Sequence, residues 1–242
     1  LQGFSDQGKE KLKRNDGKLV LDGNVLGDIE KIITIYYKNI YAFDGEKDGV
    51  RINELEFKNL EKLKEIFNAF NNNNISKIIF PENNNLKTLR GFDSNYIEEL
   101  DLSPLINLEE VLGFDHNNIN KIIFPENSNL KTLNGFDYNY IEKLDLSNCK
   151  KLKTLFGFNY NNIKKIDLEG LEELETFAGF NNNNLEELDM TPLKSLKNIL
   201  ASYEAGQQPS FIHNNLKKVK FNGEIEYISG NLFIGNPELK DI

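Results

Sequence analysis

The chain has 242 residues, a formal net charge of −9, 39% hydrophobic and 28% charged residues, and a mean hydropathy of −0.51. That is enough apolar material for a core, but no stretch reaches the roughly 18 uninterrupted apolar residues of a membrane span, and the acidity disfavours nucleic acid and anionic lipid as partners. One cysteine, Cys149, and two histidines, His116 and His213, exclude an intramolecular disulfide framework and leave little for a metal site built on Cys or His.

The chain opens Leu-Gln-Gly-Phe-Ser-Asp, with neither Met nor a basic start followed by an apolar stretch, so its natural start is expected upstream. Residues 1–42 carry two strand-like runs, Leu19-Val-Leu and Ile32-Ile-Thr-Ile-Tyr-Tyr, separated by Asp-Gly-Asn. They do not fit the period that follows and are expected to form an N-terminal cap, since an open solenoid end exposes apolar core and unpaired strand edges. The remainder, 43–242, reads as the solenoid. Asp44-Gly-Glu-Lys-Asp-Gly49 interrupts it after Phe43; its acidic spacing is that of a calcium loop, but position 12, where a bidentate Glu belongs, is Leu55. A solvated turn is expected there.

From about residue 50 the chain repeats every 22 residues: Leu86, Leu108, Leu130, Leu152, Leu174 and Leu196 are evenly spaced, and further apolar columns stay in register with them. Two columns barely vary. Phe recurs at 70, 92, 114, 136, 158, 180, 211 and 233, and three residues later comes Asn at 73, 95, 117, 139, 161, 183, 214 and 236. Residues one repeat apart stack at roughly the 4.8 Å strand spacing, so the Phe column predicts an aromatic spine. The Asn column predicts a ladder of amides satisfying backbone groups where the chain turns inward. A small residue before most of these Phe leaves room for a bend. The segment Ala201 to Pro209 lengthens one unit by nine residues, and the columns at Phe233 and Asn236 point to a partial last repeat.

The segment I-x-x-L-D-L-S-x-C-x-x-L, Ile141 to Leu152, resembles the conserved half of a leucine-rich repeat, with Cys149 in its Asn or Cys position. The other half, L-x-x-L-x-G-F-x-x-N-x-I, is similar to that motif with one residue added. Together they resemble the short nested repeats of bacterial leucine-rich-repeat proteins, from which they depart in the Phe spine and in Leu105, Leu171 and Leu193. The resemblance implies a leucine-rich-repeat solenoid, a right-handed β-rich superhelix. Its parallel concave strands would be Glu99 to Ser103, Lys121 to Pro125, Lys143 to Ser147, Lys165 to Glu169 and Glu187 to Thr191, with extended or 3₁₀ structure on the convex side. It also implies a protein displayed on a bacterial surface or secreted.

Outward positions on those strands give an acidic stripe with lysines beside it: Glu99, Asp101, Lys143, Asp145, Lys165, Asp167, Glu187 and Asp189. Such a face suits another protein with complementary basic groups, and stacked Asp residues cost stability unless something screens them. The 201–209 insertion offers Tyr203, Gln207 and Gln208 as further contacts, since solenoid insertions map to loops. No nucleophile, acid–base pair, phosphate loop or metal-ligand spacing stands out, so the reading is a monomeric, non-catalytic binding module without cofactor, against a structural spacer or stalk as the alternative.

Overall fold

The fold is that of a computed structural model, which describes residues 14–15, 18–26, 31–33, 53–81, 85–199, 210–228 and 231–240. The insertion at 44–49, Phe43 and the 201–209 loop with Tyr203, Gln207 and Gln208 lie outside the described residues, as does most of 1–42. Each regular unit contributes two short strands, and strands one unit apart pair in parallel, without a break on one side of the coil and in shorter groups on the other. Thr132↔Thr154 and Leu133↔Leu155 are direct register partners, as are Lys121↔Glu99 and Ile122↔Leu100. The sequence period is therefore the rung spacing of a parallel β-solenoid with little helix.

One sheet is continuous. Lys31–Ile33, Glu65–Phe67, Thr88–Arg90, Glu110–Leu112, Thr132–Gly135, Thr154–Gly157 and Thr176–Phe177 form seven parallel strands in chain order. This is the half of the unit expected to be extended or 3₁₀, and it is the more regular of the two. The other sheet begins with Arg14–Asn15, Lys18–Asp22, Glu54–Lys58 and Lys77–Ile79, then continues as pairs: Glu99–Asp101 with Lys121–Ile123, Lys143–Leu144 with Lys165–Ile166, Glu187–Asp189 with Lys218–Lys220. These strands are shorter than the sequence predicts, and in four rungs the Asp of the motif closes a turn at the strand end. Its carboxylate accepts from the backbone N–H two residues on: Ser103 to Asp101 at 2.9 Å, Ser147 to Asp145 at 3.2 Å, Glu169 to Asp167 at 3.1 Å and Thr191 to Asp189 at 3.0 Å. Such an Asx turn caps the strand locally, while Lys121–Ile123, with Ile123 in the Asp column, is as short without one.

Between the sheets lies one core. Phe92, Phe114, Phe136, Phe158 and Phe180 are fully buried and stack nearly parallel at centroid separations of 5.0, 5.4, 5.0 and 5.3 Å. Pairs of this kind add about 0.5–1.5 kcal/mol each beyond the area they bury. The Asn ladder binds rung to rung. Asn117 donates through Nδ2 to the Phe92 carbonyl of the preceding rung at 3.0 Å, and its Oδ1 accepts from Ile97 N at 3.1 Å. Asn139 repeats this on Phe114 O at 3.0 Å and Ile119 N at 2.9 Å. Each Asn thus satisfies a donor and an acceptor that the corner would otherwise leave buried and unpaired.

The corner before each Asn is tight. Gly157 sits at φ +92, and a Cβ there would lie 2.5 Å from the Gly135 carbonyl oxygen, so only glycine fits. The Phe that follows is itself left-handed in several rungs, with φ of 68 at Phe136 and 60 at Phe158. That conformation costs roughly 1–2 kcal/mol for a non-glycine residue and is held by the burial of the ring.

Candidate binding surfaces

The eight charged residues singled out in the sequence, Glu99, Asp101, Lys143, Asp145, Lys165, Asp167, Glu187 and Asp189, are all exposed, while the leucines and isoleucines alternating with them are buried. Strand pairing sets Asp189 opposite Lys220 and Glu99 opposite Lys121 in neighbouring rungs. Ion pairs join them, Lys121–Glu99 at 2.8 Å and Lys220–Asp189 at 2.7 Å, with Lys143–Asp145 longer at 3.9 Å. The Lys220 ammonium and the Thr191 hydroxyl hold the Asp189 carboxyl down to about 2, and hydrogen bonds from Ser147 lower that of Asp145. The Asp column therefore has a local structural task, which offsets the repulsion of stacking carboxylates.

A second surface carries a groove of about 720 Å³ along the corner after the continuous sheet. Asn134 and Phe156 line it from the sheet side; Tyr138, Tyr160, Asn182 and His213 line it from the corner, with Gly135, Gly157 and Gly179 between them. Along the groove runs a column that the sequence reading passed over, one residue after each Phe: Asn71, Asp93, Asp115, Asp137, Asn159 and Asn181. Each side-chain oxygen accepts the backbone N–H of the same column in the next rung. Asp137 N bonds Asp115 at 2.8 Å, Asn159 N bonds Asp137 at 2.8 Å, and Asn181 N bonds Asn159 Oδ1 at 2.9 Å. The signal for it was present, since the column is Asp or Asn from 71 to 181, before Ile212 and Ile234 end it. Burial, and then the neighbouring Asp137 and Asp93 carboxylates, push Asp115 up to about 7. Burial also raises Asp137, partly opposed by hydrogen bonds from Asn159.

Outside this column lie two outward columns. The first is 72, 94, 116, 138, 160, 182 and 213; the second is 74, 96, 118, 140, 162, 184 and 215. Every one of these positions is exposed or half-buried and every one is Asn, Ser, His or Tyr. His116, Tyr138 and Tyr160 form an external ring stack with 4.4 Å between successive centroids. His116 and His213 adopt left-handed turn conformations in this column, at φ 54 and 52. Cys149 is buried, and burial pushes its thiol up to about 12. Among the described residues no group of three His, Cys, Asp or Glu side chains is disposed to hold a metal ion, and no helix is long and apolar enough to cross a membrane.

Two parallel sheets, a 22-residue rung and buried Leu, Phe and Asn columns define a leucine-rich-repeat solenoid. No family model and no curated protein matches the sequence. The structure is similar to the functional domain of InlJ from Listeria monocytogenes, described as including a cysteine ladder. The TM-score is 0.52 at 20% identity, over 93% of this chain and 55% of that one. The likeness is one of fold, and the chain spans little more than half the length of that neighbour. The two differ in what forms the ladder: this chain has a single cysteine, and asparagine amides bind its rungs together.

Proposed function

We propose that this chain is a non-catalytic protein-interaction module, displayed at a cell surface or secreted, that engages another protein on the outward face of the Glu99–Asp101, Lys143–Leu144, Lys165–Ile166 and Glu187–Asp189 strands. The observation that carries this reading is the fold itself: a leucine-rich-repeat solenoid presents a long face whose outward charged side chains are exposed while alternate ones build the core. Rigid, pre-organised residues lose little entropy on binding, and alternating charges favour a partner of complementary pattern, basic where Glu99, Asp145 and Asp167 lie. The 201–209 loop is a second contact region in this proposal, through Tyr203, Gln207 and Gln208.

A spacer or stalk role is the second reading. The observation favouring it is that many of these charges are already matched within the molecule, by Asx turns and by ion pairs between rungs. Charge reversal separates the two. Lys143→Glu with Lys165→Glu leaves the Asx turns intact and inverts the lysine rows. A partner recovered with the parent chain and lost with this variant supports the module. Equal recovery of every bound protein by both refutes engagement on this face.

A further inference from the structure

Two carboxylates, Asp115 and Asp137, and three rings, Phe156, Tyr138 and Tyr160, line the groove at the edge of the continuous sheet, and its wall holds no lysine or arginine. Asp115 forms no ion pair among the described residues. Its carboxylate takes backbone N–H groups, and the charges flanking it, Asp93 and Asp137, have its own sign. The potential inside the groove is therefore negative and favours a cation. Among the described residues no three His, Cys, Asp or Glu side chains are disposed around a metal ion. Two carboxylates beside aromatic rings suit an organic cation better.

The sheet itself points to the kind of cation. Its outward column of Arg90, Leu112, Asn134 and Phe156, one residue per rung, runs into the groove, which Asn134 and Phe156 line. Two rungs before Asn134 the chain fills that column with a guanidinium of its own: Arg90 lies 5.2 Å from the centroid of the Phe67 ring and pairs with Glu110 at 3.4 Å. The groove offers the same two partners, a ring from the sheet and carboxylates, now from the corner, without an arginine of the chain beside them. A guanidinium is planar, bonds two carboxylates at once and stacks on ring faces, whereas an ammonium is a strongly hydrated point charge. Asp115 and Asp137 stand in successive rungs, roughly 4.8 Å apart, within the span of one guanidinium. Tyr138 and Tyr160 are exposed at the rim, and tyrosine, like arginine, is enriched among the residues that carry the energy of protein interfaces.

We infer that the groove seats the guanidinium of an arginine side chain projecting from a protein partner, held between the Asp115 and Asp137 carboxylates and the Phe156 ring. Amide spectra of the isotopically labelled chain, titrated to high millimolar with acetyl-Gly-Arg-Gly-amide, test this; the lysine and citrulline analogues serve as controls. The expected result is saturable movement of the Gly135, Gly157, Gly179 and Tyr160 cross-peaks with the arginine peptide. The lysine peptide should bind several-fold more weakly, and the citrulline peptide, the same size without the charge, should leave the cross-peaks in place. Asp115→Asn with Asp137→Asn should weaken the arginine peptide about tenfold or more. That variant keeps an Oδ1 to accept the next rung's N–H, as Asn159 and Asn181 do, and circular dichroism verifies its fold. Tyr160→Ala, at an exposed rim position, should weaken binding as well, and Lys143→Glu with Lys165→Glu should not. Groove cross-peaks that never saturate overturn the inference, as does equal binding of the lysine or citrulline peptide, or binding indifferent to loss of both carboxylates. Saturable movement confined to the amides of Asp145 and Asp167 would place the cation on the charged face and also overturn it. The groove shares no residue with that face, so failure here leaves the charged-face reading standing.

Discussion

Replacing Asp115 with Asn should stabilise this protein at neutral and alkaline pH. In the folded chain the Asp115 carboxyl titrates near 7 instead of the ordinary 3.8, chiefly because it is buried and secondarily because Asp137 and Asp93 stack beside it. A carboxyl raised on folding binds its proton more tightly in the native state, so it costs nothing below pH of about 4 and progressively destabilises the fold as pH climbs to about 7. At about 1.4 kcal/mol per tenfold the ceiling is about 4 kcal/mol; with partial solvation and the proton shared along the row, roughly 1–3 kcal/mol is expected. The structural bond survives, because Asn159 and Asn181 already accept the next rung's N–H through Oδ1 at the same column. At 2–4 °C per kcal/mol, Asp115→Asn should melt about 2–12 °C above the parent at pH 8 and close to it at pH 4. Melting followed by circular dichroism across that range measures it. A variant that melts below the parent at pH 8, or whose advantage does not grow with pH, would refute the reasoning.

Four further outcomes follow. Asn139→Ala removes the partners of Ile119 N and Phe114 O at a site only 4% exposed, so it should cost about 2–5 kcal/mol, with the Ile119 amide losing hydrogen-exchange protection that Ile97 and Ile141 keep. Phe136→Ala should lower stability by about 3–5 kcal/mol in denaturant titrations. Gly157→Ala, which places a Cβ 2.5 Å from a backbone oxygen at φ +92, should lose at least about 3 kcal/mol, whereas Gly223→Ala, with nothing within 4 Å, should stay within about 0.5 kcal/mol of the parent. The Cys149 thiol, buried and held near 12, should react with a chromogenic disulfide only at the rate of unfolding.

Much of this architecture can be read in the sequence because its period makes distant contacts look local. A Phe every 22 residues has only one low-energy arrangement once the coil closes, ring on ring, and the Asn three residues later must then face the same corner. The spine and the ladder were legible for that reason. The Asp–Asn column from Asn71 to Asn181 was not, since a polar residue beside a turn reads as solvated, and its partner is a backbone N–H one rung away. The stripe at Asp101, Asp145, Asp167 and Asp189 reads as a repulsive column; the Asx turns it closes are local, yet Asp followed two residues on by Ser, Glu or Thr reads as more strand. Extended or 3₁₀ structure was expected over the half that forms the sheet from Lys31–Ile33 to Thr176–Phe177, but not its continuity, because its strands are only two to four residues long.

The stacking of like on like is the claim beneath the fold, the groove and its uncharged border alike. Ring-to-ring nuclear Overhauser effects in a sample isotopically labelled at phenylalanine test it most directly. With centroids 5.0–5.4 Å apart, an unbroken chain of cross-peaks should connect Phe92, Phe114, Phe136, Phe158 and Phe180 in that order. Rings that show no cross-peak to the Phe one repeat away, or that exchange freely with solvent-exposed neighbours, would contradict it.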